Sequence, residues 1–320
     1  MTKSKTLIEI GLDIGGTKTS GISQVRSGGS TIELEQIDST GLNLKSAGID
    51  AVLELIVDIV ASSRSAHWKI AGNRSAIVVV CAGIAGAGSE HDRHILSGRF
   101  QEKFPQDVLI THTDIFIALE GAFSGESGMI CITGTGSNVC ARDRAGRSVS
   151  TGGWGRLIGD PASGWQIGKD SLRFLSERLD EAHRDILEPT ARDFMLSALS
   201  HDFDLTSREK LTHFVYDSQT SPSVLATSVV TAAKSGDAAA QTIIAKGIRS
   251  FVDQIVRLSK KVTDIEKRFV HLGGLAKSDY FSGVFLQEMR RQLPDWNVAI
   301  ARESPIQSAL RLAESHFAAL

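Results

Sequence analysis

Asp13 closes an apolar run, LIEIGLDI, and Gly15, Gly16, Thr17 and Lys18 follow it almost at once. Glycines let a strand reverse without Cβ clashes, and such a turn leaves successive backbone N–H groups pointing into one concavity. That concavity suits phosphate oxygens, with the Thr17 hydroxyl and the Lys18 charge beside it. A carboxylate repels phosphate, so Asp13 makes sense where a divalent cation such as Mg²⁺ takes carboxylate and phosphate oxygens together. The alternative for a lone motif is an ordinary hairpin with an incidental acid.

The motif is not alone. CITGTGSN (Cys131–Asn138) repeats the logic, an apolar strand running into Gly134, Thr135 and Gly136. Two such turns, facing each other across a cleft, would hold one polyphosphate from both sides. Neither is a P-loop, since no G-x-x-x-x-G-K-[ST] precedes a helix, and no G-x-G-x-x-G dinucleotide fingerprint is present. A third turn, in VHLGGLAKSDYF, offers Gly273 and Gly274 for the close approach of a flat base or ribose, with Ser278 near the start of the next helix. A plain strand–helix connector accounts for this last turn equally well.

The elements that must position these turns follow from periodicity. TLIEIGLDI, TSGISQV and TIELEQID read as three consecutive strands, and residues 49–62 carry apolar residues at helical spacing. A buried strand (76–88) runs into a glycine-rich bend. A helix from about Asp92, the strand DVLITHT and a helix over 115–123 come next. At Gly128 the pattern restarts with strands through Gly153, then mainly helices from Ser163 to about Lys260. The strand KRFVHLGG, a helix, the short strand WNVAIA and a helix from about Ser304 complete the chain. This is a weak duplication of strand-rich halves with no Pro- or Ser-rich linker. The expected division lies near Asp114.

Composition narrows the classes. The 320 residues are 42% hydrophobic and 22% charged with a net charge of -2, as in a globular protein of one or two domains. No basic cluster points to nucleic acid, and no apolar run is long enough to span a membrane. Three cysteines, Cys81, Cys131 and Cys140, lie in apolar runs and read as buried reduced thiols of a cytoplasmic protein. His91 and His94 lack further ligands at zinc-like spacing, and a solvated helix start explains them. The HRD of residues 183–185 has no DFG or glycine-loop partner and is not a protein-kinase catalytic loop.

LDIGGTKT, GIAGAG, ITHTDIFIALEGAF, ITGTGSN, GGWGRLIGDPASGWQIG and LGGLAKS together resemble the sugar kinase/Hsp70/actin superfamily. More narrowly, they are similar to the BadF/BadG/BcrA/BcrD ATPases grouped with N-acetylglucosamine and glucosamine kinases. The resemblance implies an α/β, two-lobed, actin-like ATPase of duplicated ribonuclease-H-like domains, with ATP and Mg²⁺ in an interlobe cleft. The lobes would be residues 1–114 and 115–303, the last helix (about 304–320) returning to the first. Two departures stand out: Pro161-Ala162 follow Asp160 where an acid and a glycine are frequent, and Ser308 replaces a usual glycine.

The resemblance also assigns residues. Asp114, between a strand end and a helix, falls on the catalytic aspartate and would accept the proton of the attacking sugar hydroxyl. An N-cap aspartate is the competing and compatible reading. Gly15, Gly16, Thr17, Lys18, Gly134, Thr135, Gly136, Gly273, Gly274 and Ser278 would contact ATP, with Asp13 toward the metal. Sugar contacts fall on Gly153, Trp154, Gly155 and Asp160, on Asn43, and on a wall at Ala85 and Gly86. Asp160 would accept from a hydroxyl or hold the metal's water shell; a tight loop with a core Trp154 is the plainer account. The implied activity is ATP-dependent phosphorylation of glucosamine or N-acetylglucosamine at the 6-hydroxyl, in an enzyme that is often dimeric. Kinases for N-acetylmuramate or glucose, an ATPase activator of an acyl-CoA dehydratase, and a non-catalytic sugar sensor are the alternatives.

Overall fold

Leu7–Ile14 (β1) is a strand buried on both faces, which is why its apolar run is nearly continuous rather than alternating. In the computed structural model, which describes residues 6–27, 30–71, 76–182, 186–187, 189–190, 193–218 and 220–318, β1 is the middle of a five-stranded sheet. Lys18–Ser27 (β2) and Ser30–Thr40 (β3) form an antiparallel meander on one side of it. Ile77–Ile84 (β4) and Val108–Thr113 (β5) continue in parallel on the other, giving the order β3-β2-β1-β4-β5.

Helices cover both faces. Leu44–Ala71 (α1) and Glu90–Lys103 (α2) bury Val52, Ile56, Leu96 and Phe100 against Ile8, Ile10, Leu12 and Ile14. Asp114–Phe123 (α3) and the terminal Pro305–Ala318 (α10) place Ile117, Ala309 and Ala313 against Val79 and Cys81. Gly48, at a non-helical φ of +85°, separates a short first turn of α1 from the main helix, which starts after it where the apolar periodicity begins.

The second sheet has the same plan. Gly128–Thr133 (β6), Ser137–Arg142 (β7) and Ser148–Gly152 (β8) form a meander, and Arg268–Leu272 (β9) and the two-residue Asn297–Val298 (β10) add in parallel. The order β10-β9-β6-β7-β8 matches the first sheet strand for strand. Between β8 and β9 lie Gly164–Glu181 (α4), Phe194–Phe203 (α5), Arg208–Tyr216 (α6), Ala226–Lys234 (α7) and Ala238–Lys261 (α8), and Asp279–Gln292 (α9) follows β9. Their apolar faces enclose Phe251, Phe269, Phe281 and Phe285.

Packing divides the chain into residues up to Glu126 together with those from Ile300, and Ser127–Ala299. The division falls later than Asp114 because α3 packs on β4 and α10 rather than on the second sheet. Helix α10 carries a capping box: the Ser304 N–H donates to Gln307 Oε1 at 2.9 Å and the Gln307 N–H to Ser304 Oγ at 3.3 Å, with Pro305 at the first helical position. Ser308 is fully buried, and its hydroxyl donates to the Ile117 carbonyl of α3 at 2.6 Å, so the departure from glycine ties the two helices together. Beneath α10 lies the fully buried Glu9, which accepts from Gln24 at 2.9 Å and pairs with Arg26 at 3.3 Å.

All three cysteines are free and buried; burial pushes the Cys81 thiol up to about 12 and raises Cys131 and Cys140 as well. Among the described residues no helix is long and apolar enough to cross a membrane.

Helix α10 rests on β1 backbone at Gly11, where an added Cβ would come within 2.6 Å of the Ile306 carbonyl oxygen. Gly11→Ala must therefore push α10 outward, and overpacking of this kind costs about 1–3 kcal/mol. Urea unfolding monitored by circular dichroism should show a lower midpoint; an unchanged midpoint would contradict the close seating of α10.

Candidate functional site

The carboxyl ends of the parallel strands in the first sheet gather Asp13, Asn43, Ala85, Gly86 and Asp114. In register, Asp13 on β1 lies opposite Gly83 on β4, and β4 in turn sets Ile84 opposite Thr113 on β5, the residue before Asp114. Open α/β sheets bind ligands outside this end of their parallel strands. Ala85 donates its N–H to the Ile14 carbonyl at 2.8 Å and accepts from Leu44 N–H at 2.9 Å. Gly86 approaches the Asn43 side chain so closely that a Cβ would lie 2.9 Å from its Cγ. Asn43 Oδ1 accepts from Lys45 N–H at 3.0 Å, which orients its amide.

Asp114 occupies the first turn of α3. Thr113 is the N-cap, its hydroxyl accepting from the Phe116 N–H at 3.1 Å, so the helix start does not need the aspartate as its cap. Asp114 Oδ1 accepts from the Ile115 N–H at 2.9 Å. Burial raises its pKa, opposed by its backbone hydrogen bonds. Asp13 is raised to about 7, first by burial and then by the charge of Asp114. Two carboxyl groups in one electrostatic neighbourhood, neither favoured as an anion, are the donor set that a hard divalent cation would relieve.

The turn after β1 leaves Gly16, Thr17 and Lys18 exposed. Gly41, which sequence reasoning missed, donates to the Thr17 carbonyl at 3.1 Å, and a Cβ there would overlap the backbone of residues 15–18. Its only signal was a glycine between a strand and a helix. Lys18 forms an exposed ion pair with Asp38 on β3 at 2.8 Å.

In the second unit the turn after β6 exposes Thr135 and Gly136. The Gly134 carbonyl accepts from Gly164 N–H at 2.7 Å and the Thr135 carbonyl from Trp165 N–H at 3.2 Å, seating the turn on the start of α4. Gly274 N lies 3.8 Å from where a Gly134 Cβ would be, so the Gly273–Gly274 turn is its neighbour. Ser278 N-caps α9, its hydroxyl accepting from Phe281 N–H at 3.4 Å.

Asp160 is brought to the same turn: a Cβ on Gly136 would sit 3.1 Å from Asp160 Oδ2. Asp160 is buried, burial raises its pKa, and its Oδ1 has no hydrogen-bond partner. Ser137 Oγ, Asn138 Oδ1 and Gln254 Oε1 are likewise buried without partners, and Asn138 and Gln254 lie directly against Gly153 and Gly152. Buried polar atoms are nearly always satisfied, so this group has room for hydrogen bonds from ordered water or from polar ligand atoms. Sequence reasoning did not single out Gln254, which lies on α8 far along the chain. Trp154 is not a core residue: it is 70% exposed, beside the still more exposed Leu157. Gly153 and Gly155, also exposed, take positive φ and hold that loop outward. Ala162 is buried and takes a positive φ of 61°, a left-handed backbone that glycine would adopt without Cβ strain.

His91 and His94 are exposed on α2, and among the described residues no group of three or more His, Cys, Asp or Glu is placed to hold a metal ion. The HRD triplet lies outside the described residues.

A family model, the BadF/BadG/BcrA/BcrD ATPase family, matches residues 10–310. The chain belongs to this family. An N-acetyl-D-glucosamine kinase of Dictyostelium discoideum is 27% identical over 96% of this chain and 97% of its own length. An N-acetylmuramic acid/N-acetylglucosamine kinase of Clostridium acetobutylicum is 29% identical over 65% of this chain and 64% of its own. A solved structure from Chromobacterium violaceum, described as a candidate N-acetylglucosamine kinase, superimposes with a TM-score of 0.72 at 22% identity, covering 97% of this chain and 99% of that one. The family's fold is thus the duplicated, actin-like α/β architecture.

Asp13 gives the site a pH signature. Its folded pKa lies above the unfolded value of 3.8, so the stability it contributes is full below about pH 4 and is lost as pH rises through about 7. Asp13→Asn should therefore raise the melting temperature of the metal-free protein relative to wild type more at pH 8 than at pH 5. Calorimetry at the two pH values checks this, and an equal difference at both would contradict the perturbed carboxyl.

Proposed function

We propose that this protein transfers the γ-phosphoryl group of ATP to an amino sugar, glucosamine or N-acetylglucosamine, at the 6-hydroxyl. The broader statement, that it is a sugar kinase, rests on family membership together with the named activities of its relatives. The observation that carries the site assignment is the placing of Asp114 beside Asp13 at the carboxyl ends of β1, β4 and β5, in the same unit as Asn43, Ala85 and Gly86.

Asp114 is assigned as the base that orients the sugar hydroxyl and takes its proton as the oxygen attacks phosphorus. Its raised pKa brings proton affinity closer to neutrality than that of an ordinary aspartate. Asn43, Ala85 and Gly86 are assigned to the sugar; so are Asp160, whose orphaned Oδ1 can accept from a hydroxyl, and Gly153, Trp154 and Gly155. The Gly15–Lys18 and Gly134–Gly136 turns are assigned to the phosphates, and Gly273, Gly274 and Ser278 to the rest of the nucleotide. Magnesium, held through Asp13, would neutralise charge on the phosphates.

The activator reading needs cysteines that can ligate an iron–sulfur cluster. Cys81, Cys131 and Cys140 are buried in strands with raised pKa values, which disfavours thiolate ligands.

Asp114→Asn should lower kcat by about 10²–10⁴-fold, the usual worth of a positioned base, while ATP still binds. A coupled ADP-release assay over a panel of sugars reads this directly, and near-normal turnover in the variant would refute the assignment. In the same assay Asp160→Ala should raise the sugar KM or lower the rate; no change in either would remove Asp160 from the site.

A further inference from the structure

His271 has no part in the reaction as described, yet it is built into the base of the nucleotide turns. It sits on β9 opposite Cys131 of β6. Its Nε2 lies 2.8 Å from the Thr133 hydroxyl, and Thr133 is fully buried as the last residue of β6, immediately before Gly134. Two residues beyond His271, Gly273 adopts φ +105° and comes so close to Thr133 that a Cβ would lie 2.6 Å from its carbonyl carbon. The imidazole also packs on α9: its centroid is 4.2 Å from that of Phe285 and 6.2 Å from that of Phe281. One ring therefore touches the strand that ends in the second phosphate turn, belongs to the strand that ends in the third, and rests on the helix capped by Ser278.

Volume alone does not explain a histidine here. Phe281 and Phe285 would accept an apolar neighbour, and the alternative to a polar partner is a buried Thr133 hydroxyl left unsatisfied, which costs about 1–3 kcal/mol. Burial holds the imidazole pKa down to about 4, so the ring is neutral at physiological pH and bonds to Thr133 without burying a charge. The same neutrality makes it a poor proton carrier for catalysis. The first unit secures its own turn in another way, by the backbone bond from Ala85 N–H to the Ile14 carbonyl.

We propose that His271 is a positioning residue which, through Thr133, fixes the Gly134–Gly136 turn against the Gly273–Gly274 turn and so sets the geometry that receives the nucleotide. This rests on the reading of both turns as nucleotide contacts. The bond orders the backbone at the two turns before binding, and its loss is felt as lost preorganisation and weaker ATP binding. The sugar site is not expected to change.

Four full-length variants test the proposal: Thr133→Val, which removes only the hydroxyl; His271→Phe, which keeps an aromatic ring; the double variant of these two; and His271→Gln, which keeps a polar reach. Equilibrium dialysis with labelled ATP and Mg²⁺ gives nucleotide affinity, and the coupled assay gives KM for ATP and for the sugar. Thr133→Val and His271→Phe should each weaken ATP by about tenfold, with the sugar KM within about twofold. The double variant should be no weaker than either single one, and His271→Gln should recover most of the loss. Unchanged ATP affinity in folded Thr133→Val overturns the proposal even where His271→Phe fails to fold. Equal loss toward ATP and sugar, or no recovery by glutamine, overturns it too. If wild type binds ATP but phosphorylates no amino sugar, the proposed substrate is wrong and the affinity comparison still decides the role of His271. If wild type does not bind ATP, both fall.

Discussion

The burial of two carboxyl groups, Asp13 and Asp114, at one end of the first sheet is the constraint around which the first unit is organised. Residues a hundred positions apart are brought together because β1 and β5 run parallel on either side of β4, so their carboxyl ends share one edge of the sheet. Burial disfavours both anions, and the charge of Asp114 raises Asp13 further. A fold retains such a pair at a cost in stability, which is common where the arrangement serves a ligand. A divalent cation carrying phosphate would turn the repulsion into attraction. Water-filled alternatives would leave the two carboxyls competing for one proton.

Close approaches are made mainly by backbone: in the first unit Gly41 lies against the turn after β1 and Gly86 against Asn43, and in the second Gly273 lies against Thr133, each too closely for a side chain. Backbone amides are fixed dipoles that cost little to orient once the turn is held, and the holding is done from outside: Gly41 and Ala85 in the first unit, α4 and His271 in the second. The duplicated sheet order gives both units the same strand–turn–strand at the same place. The helical insertion between β8 and β9 belongs to the second unit alone, and it supplies Gln254 beneath the loop that carries Asp160.

Much of this was legible in the sequence where the signal is local. The glycine turns, the strand that ends at Asp13 and the restart at Gly128 are read from adjacent residues, and so is the cap at Ser278. Contacts that depend on the folded chain were not. The importance of Gly41 follows from β3 returning beside the first turn, and the bond from Ser308 to Ile117 follows from α10 folding back onto α3. The alternative of a core Trp154 fails because the loop, with positive-φ glycines on either side of it, leaves the ring exposed. The main part of α1 begins where its apolar pattern does, and the short turn before it, set off by the non-helical Gly48, carries no such pattern. The division after α3 rather than at Asp114 is a matter of which sheet α3 covers, a long-range choice that helical periodicity does not encode.

The central claim is that the Asp13–Asp114 pair is completed by a divalent cation arriving with nucleotide. Binding of Mg²⁺ and ADP at pH 6, followed by calorimetry in two buffers of different ionisation enthalpy, counts the protons exchanged. Asp13, protonated below about pH 7 in the free protein, should make wild type release roughly one proton more than Asp13→Asn, beyond what the nucleotide phosphate itself gives up in both. Equal proton release by the two proteins would contradict the account.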